Sequence, residues 1–233
     1  MSQAKLSDEQ FLVPRPAATL RHGVTESIRQ AIAAGRFAPG ERMPERDLCE
    51  MTGVSRTLVR EALRQLESEG LIEVVAHRGP IVSQITAAQA LGVYQVREVL
   101  EGLAAQLFAE EASAAERQAL RAAFEELKSA SDVSSRLAAK NRFYEVLIGG
   151  TGNEALGKSL HMLNSRAMLL RRRSLQTPNR WPKSLHELEA LVTALEARSG
   201  DKARTLAMEH VRRAAAAAMT TFSMDNAEPA AAK

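Results

Sequence analysis

The run Gly53-Val-Ser-Arg-Thr-Leu-Val-Arg-Glu-Ala-Leu63 decides how the rest of this chain reads. Gly53 is a helix stop, and Ser55 or its neighbour can cap the helix that follows. From there Val59, Leu63 and Leu66 recur at helical spacing and point inward. Arg56, Arg60 and Arg64 are four apart and share the outward face. The pattern predicts a helix over 56–69, closed by Gly70. Ser55, Arg56 and Thr57 stand at its N-terminus, where free backbone N–H groups and the positive dipole end attract phosphate. A helix entering the major groove reads bases mainly from that end. The competing reading is a solvated face whose arginines pair with Glu61 and Glu67.

Upstream, Glu45 to Met51 can form a short helix, preceded by a turn and a short extended piece punctuated by Pro39-Gly40 and Pro44. Before that, Leu20, Val24, Ile28 and Ile32 form one helical stripe, stopped at Gly35. Downstream, Leu71 to Val75 and Pro80 to Gln84 are β-prone and flank His77-Arg78-Gly79, which predicts a small hairpin wing. Helix, tight turn, helix and hairpin make a winged helix-turn-helix over residues 18–85. Beyond Ile85 no strand signal recurs. Helices are expected near 87–109, 113–131, 134–149, 153–174, 183–198 and 201–222, an all-α bundle over 86–222 joined to the first half without a Gly/Ser linker. Residues 1–17 read as a flexible arm and 223–233 as a flexible tail. The fold class is therefore mainly α.

Composition narrows the function. The chain of 233 residues has a formal net charge of +3 and a pI near 9.2, so it is no bulk polycation. Its 31 basic residues comprise 24 Arg and 7 Lys, and arginine suits bidentate recognition of phosphate, guanine and carboxylate. From 18 to 85 there are nine Arg, no Lys and nine Asp or Glu, so any attraction for nucleic acid there is local rather than domain-wide. Aromatics are 4%, too few for a single-strand stacking platform. A lone Cys49 excludes an intramolecular disulfide and a cysteine zinc finger, fits a reducing cytoplasm, and reads as packing rather than reacting. No apolar run approaches a membrane span, and Met1 to Leu12, with Lys5, Asp8 and Glu9, does not read as a signal peptide.

The chain resembles the GntR family of bacterial transcription regulators. The likeness runs along Ile28 to Ile32, Gly35 to Gly40, Pro44 to Leu48, Gly53 to Leu63, Leu66 to Leu71 and Arg78-Gly79. The family pattern has Pro where Leu58 stands, a departure away from the base-contacting positions. The resemblance implies that Arg46, Ser55, Arg56, Thr57, Arg60 and a wing tip at His77, Arg78 and Gly79 contact double-stranded operator DNA. The helical half resembles the effector-binding and dimerisation domain of the FadR subgroup, of the FCD type, on Val93 to Glu101, Arg142-Phe-Tyr144 with Gly152-Asn153, and Ala203 to His210.

Many members of that subgroup hold a divalent metal through an Asp, a His four residues later and two further His. The corresponding positions here are Lys140, Tyr144, Leu188 and His210. One of four ligands survives, and a cation replaces the carboxylate, so the metal site is expected to be lost and no cofactor is expected. His161 and His186 are the residues that could rebuild a site with His210. In place of a metal, Lys140, Tyr144 and His210 supply donors to a shared interior, joined by Arg97 and by Asn164, Arg166 and Arg173 on the long helix. An inward Arg needs an acidic partner or an anionic ligand. The functional reading is a small organic acid as effector; the alternatives are an internal pair such as Arg97 with Glu101, or surface exposure. The run Arg171-Arg-Arg173 reads mainly as solvated.

These expectations converge on a non-enzymatic, cytoplasmic, ligand-responsive regulator, acting as a homodimer on a palindromic operator, with repression the commoner family behaviour. Two alternatives belong to other classes. A metal-dependent helical-bundle enzyme needs a Glu-x-x-His pair on facing helices, which does not occur here. An architectural DNA-binding protein without an effector needs a fully apolar bundle core, against which the polar set around Tyr144 argues.

Overall fold

The computed structural model describes residues 16–227. The reading head contains α1 (Pro16–Ala34), α2 (Glu45–Thr52), α3 (Arg56–Ser68), β1 (Ile72–Val75) and β2 (Gly79–Val82). The bundle contains α4 (Ala87–Glu111), α5 (Ala114–Ser129), α6 (Val133–Gly149), α7 (Glu154–Gln176), α8 (Arg180–Glu196) and α9 (Gly200–Ala227). The arm expected over 1–17 lies outside the described residues except for its last two, which open α1. The tail expected over 223–233 starts inside α9, and residues 228–233 lie outside the described residues.

Periodicity explains the head. Val24, Ile28 and Ile32 of α1 bury one stripe against Val59, Leu63 and Leu66 of α3 and Leu48 of α2. Leu20, expected in that stripe, is 51% exposed, because the core begins one turn further along α1. The strands pair antiparallel with Ile72 opposite Val82 and Val75 opposite Gly79, and Arg42 adds an isolated bridge to Ile81. Ile72 and Val82 close the core from the wing side. Cys49 is half-buried at its margin.

The join is abrupt. Thr86 caps α4: its hydroxyl accepts from the Gln89 amide while the Gln89 side chain accepts from Thr86 N. Within the bundle α4 packs along α9, and Phe108, Phe124, Phe143, Leu147, Leu188 and Leu195 fill the main core. Ser113 and Asp132 cap α5 and α6 with the same reciprocal device. A residue of α7, Met168, is 2% exposed and sits in the core of the head rather than of the bundle. Nearby Arg172 donates to the Ala33 carbonyl at 3.1 Å. Its guanidinium occupies the place a Cβ would take at Gly35, whose φ of 81° already requires glycine. Among the described residues no helix is long and apolar enough to cross a membrane.

Candidate functional site

Gly53, at φ 69°, ends α2 in the left-handed region and turns the chain so that α3 starts three residues later. Ser55 occupies the N-cap of α3, but its side chain makes no capping hydrogen bond. Its exposed hydroxyl and the first amides of α3 remain available to a ligand. Arg56, Thr57, Arg60 and Arg64 stand in solvent on the face opposite the core. In place of the pairing with Glu61 and Glu67 that the competing reading implies, Arg60 makes a contact across the turn. Arg60 Nε donates to Glu45 Oε1 at 2.8 Å and Oε2 at 3.0 Å, and this guanidinium holds the Glu45 carboxyl below the usual range. Arg46 is exposed and reaches Glu50 of its own helix at 2.9 Å. The wing tip turns through His77 at φ 63° and Gly79 at φ 83°, which leaves His77 and Arg78 projecting. The result is a donor-rich surface on which the cross-helix pair of Arg60 with Glu45 can exchange its carboxylate for a phosphate or a base edge.

The bundle interior is charged. Arg97 Nε donates to Glu101 Oε1 at 2.7 Å one turn along α4, and both side chains are buried. Arg97 Nη1 is also buried and has no hydrogen-bond partner among the described residues. Arg171 of α7 donates to Asn141 Oδ1 at 2.7 Å and lies over the Tyr144 ring, 4.4 Å from its centroid. Arg180, in the first turn of α8, grips Glu187 with two bonds of 3.0 and 2.8 Å. His210 Nδ1 donates to Glu187 Oε2 at 2.6 Å, since a carboxylate can only accept.

Lys140 is 5% exposed and has no hydrogen bond or ion pair among the described residues. Burial lowers its pKa, the fields of Arg180, Arg171 and Arg97 lower it further, and it falls to about 7. Burial likewise pushes His210 down to about 4, against the pull of its bond to Glu187. Glu187 is the converse case. Burial opposes its ionisation, yet the bonds from His210 and Arg180 hold it down at about 2.

Of the seven residues read as lining the effector site, Arg97, Lys140, Tyr144 and His210 converge in this interior. Arg166 and Arg173 do not. Arg166 is exposed and reaches toward Gly70 of the head, and Arg173 lies over the Phe222 ring at 4.1 Å. Two turns separate them, so they do share a face, but that face follows the head and α9. Arg171 lies two residues before Arg173, about 200° round the helix, and turns inward although the run 171–173 reads as solvated. The Asn164 side chain lies outside the described residues. Sequence reasoning missed Arg180 and Glu187. Arg180 precedes the helix expected over 183–198 but lies in the first turn of α8, where Pro182 is tolerated because a missing N–H costs nothing, and the spacing of Glu187 within that helix does not show which way it faces.

The four positions that hold metal in the resembling subgroup do not fit one here. An ammonium repels a cation, and Leu188 is fully buried hydrocarbon. The surviving imidazole already spends Nδ1 on Glu187. His161 and His186 are exposed while His210 is buried, and among the described residues no three His, Cys, Asp or Glu side chains are grouped to hold an ion.

Comparison with known proteins covers both halves. The family described as bacterial regulatory proteins, gntR family, matches residues 20–82, and the FCD domain matches residues 92–213. The uncharacterized HTH-type transcriptional regulator YdhC of Bacillus subtilis is 32% identical over 141 residues, 59% of this chain and 63% of its own length. The galactonate operon transcriptional repressor of Escherichia coli is 24% identical over 204 residues, 78% of this chain and 89% of that one. Among solved structures, E. coli McbR/YncC superposes with a TM-score of 0.79 at 21% identity, covering 91% of this chain and all of the other, which shows the shared fold.

Proposed function

The chain belongs to the gntR family of bacterial regulatory proteins and carries an FCD domain, and from that premise we propose that it is a DNA-binding transcription regulator rather than an enzyme, with the following mechanism. It is a cytoplasmic repressor that grips a palindromic operator as a homodimer and is modulated by a small organic acid. Residues 18–85 read DNA, and residues 86–222 bind the effector and dimerise. Arg56, Thr57 and Arg60 reach base edges, Ser55 and Arg46 hold phosphate, and His77, Arg78 and Gly79 bring the wing to the duplex. Two heads on a two-fold assembly require half-sites one helical turn apart, about 34 Å. The repressor assignment is supported by the galactonate operon repressor among the relatives.

One observation carries the effector reading. Among the described residues Lys140 is buried without a partner beside Arg97, Arg171 and Arg180, with Glu101 and Glu187 as the buried counter-charges. An excess of buried positive charge is costly and is relieved by an anion. Arg97, Lys140, Tyr144 and His210 would supply donors to its carboxylate, and a shift in the relative placement of the two heads would change operator affinity. Thermal-shift screening of the full chain against carboxylic acids tests the effector. No stabilisation by any acid in a broad panel overturns it. Selection of genomic fragments by the protein, followed by sequencing, tests the operator, with an inverted repeat as the expected result.

A further inference from the structure

α7 belongs to the bundle, yet it meets the reading head in three places. Met168 lies in the core of the head, and Leu169 packs against the same cluster. The other two places are helix ends. α1 and α3 finish with the same backbone motif. The amides of Gly35 and Arg36 bond to the carbonyls of Ile32 and Ala31, and those of Gly70 and Leu71 bond to the carbonyls of Glu67 and Leu66. Each glycine is left-handed, at φ 81° and 71°. The motif satisfies two carbonyls at each end and leaves the remaining ones, with the negative end of the helix dipole, open to a cation. At both ends an arginine of α7 takes that place. Arg172 Nη1 donates to the Ala33 carbonyl at 3.1 Å, and its guanidinium fills the space of a Cβ at Gly35. Arg166 fills the corresponding space at Gly70, in a groove it shares with Glu67 and Glu73 of the head. Among the described residues neither arginine pairs with a carboxylate of the bundle, so their contacts serve the junction.

We infer that Arg166 and Arg172 are positioning residues that fix the angle of the reading head on the bundle and thereby set the half-site spacing the dimer accepts. The inference rests on the homodimer and palindrome of the reading above, and adds which residues select among palindromes. Contacts at two helix ends and at the core resist rotation of the head. The core contact and the short join at Thr86 alone leave a hinge. Arginine suits the task, because its charge persists at any working pH and its planar fork holds one orientation. One added base pair turns a half-site by about 35° and moves it by about 3.4 Å. A head held at both helix ends cannot follow that change, whereas a hinged one can.

The test offers the full chain random-sequence duplexes of about 30 base pairs, three helical turns, and sequences what the wild type and the double variant R166Q with R172Q retain. The wild type should return an inverted repeat with one spacing, and the double variant the same half-site at several spacings. Changing the selected spacer by one base pair should cost the wild type about tenfold in affinity or more, and the double variant less than about threefold. Arg166→Gln alone, at an exposed position, keeps the test decisive if the double variant does not fold, and it should widen the spacing in the same direction. The same spacings from the wild type and a folded variant overturn the inference and leave the dimer reading standing. So does loss of all DNA binding by a variant that melts as the wild type does, because the arginines would then be needed for binding itself. Single half-sites without a repeat from the wild type overturn the homodimer reading and this inference together.

Discussion

In the head, Arg56, Arg60 and Arg78 stand in water, and the carboxylate that meets Arg60, Glu45, is easily exchanged. In the bundle, Arg97, Arg171 and Arg180 are buried, each 7% exposed or less, and held by Glu101, Asn141 and Glu187. The same side chain thus has two opposite economies. A solvated guanidinium costs nothing to leave unpaired and is free to find a partner molecule. A buried one must be matched in the native state, and whatever remains unmatched is a standing demand for a ligand. The charge excess noted in the composition is therefore not one property but two.

The largest expected effect breaks the buried side. Glu101→Leu leaves Arg97 uncompensated and should cost about 3–5 kcal/mol in denaturant unfolding. Glu45→Gln in the head should leave the denaturation midpoint in place, because Arg60 simply hydrates. A midpoint shift of equal size in both variants would erase the contrast. Next, Lys140→Met should stabilise the protein by about 1–4 kcal/mol. The sign follows from linkage. Lys140 titrates near 7 when folded, against an ordinary value of 10.5, so between those values the unfolded chain binds a proton that the folded chain lacks. The destabilisation is complete below about 7 and is relieved as pH rises toward 10.5. Wild-type stability should gain a rising component across that window that the variant loses; parallel pH profiles would refute the assignment.

A smaller effect belongs to the exposed side. Arg56→Ala or Arg60→Ala should lower operator affinity about ten- to a hundredfold with unchanged thermal melting, read by footprinting and calorimetry. Retained footprints with both variants would remove α3 as the reading element. The smallest effect lies at the join. Thr86→Ala removes the cap of α4 and should cost about 1 kcal/mol, measured by chemical denaturation.

Much of the fold was legible because its determinants are local. The stripe of Val59, Leu63 and Leu66, the stops at Gly53 and Gly70, and the change to strand spacing at Ile72 each act within a few residues. The six bundle helices were located the same way, although α8 begins at Arg180, three residues earlier than expected. The site was legible only in part. Lys140 and Tyr144 were found because they replace residues of a known pattern. Arg171 and Arg180 carry no such mark, and whether a charged residue faces inward depends on partners distant in sequence. Glu187 illustrates this, since it is bonded both to Arg180 and to His210, 23 residues away. Periodicity cannot separate a guanidinium that turns toward a buried carboxylate from one that turns to water.

Met168 has a consequence for how the protein denatures. Because a methionine from the bundle completes the core of the head, and Arg172 holds the end of α1, neither half can lose its packing without exposing apolar surface of the other. Heat should therefore melt the two halves in a single cooperative transition, with one calorimetric peak rather than a low-temperature shoulder for the small head.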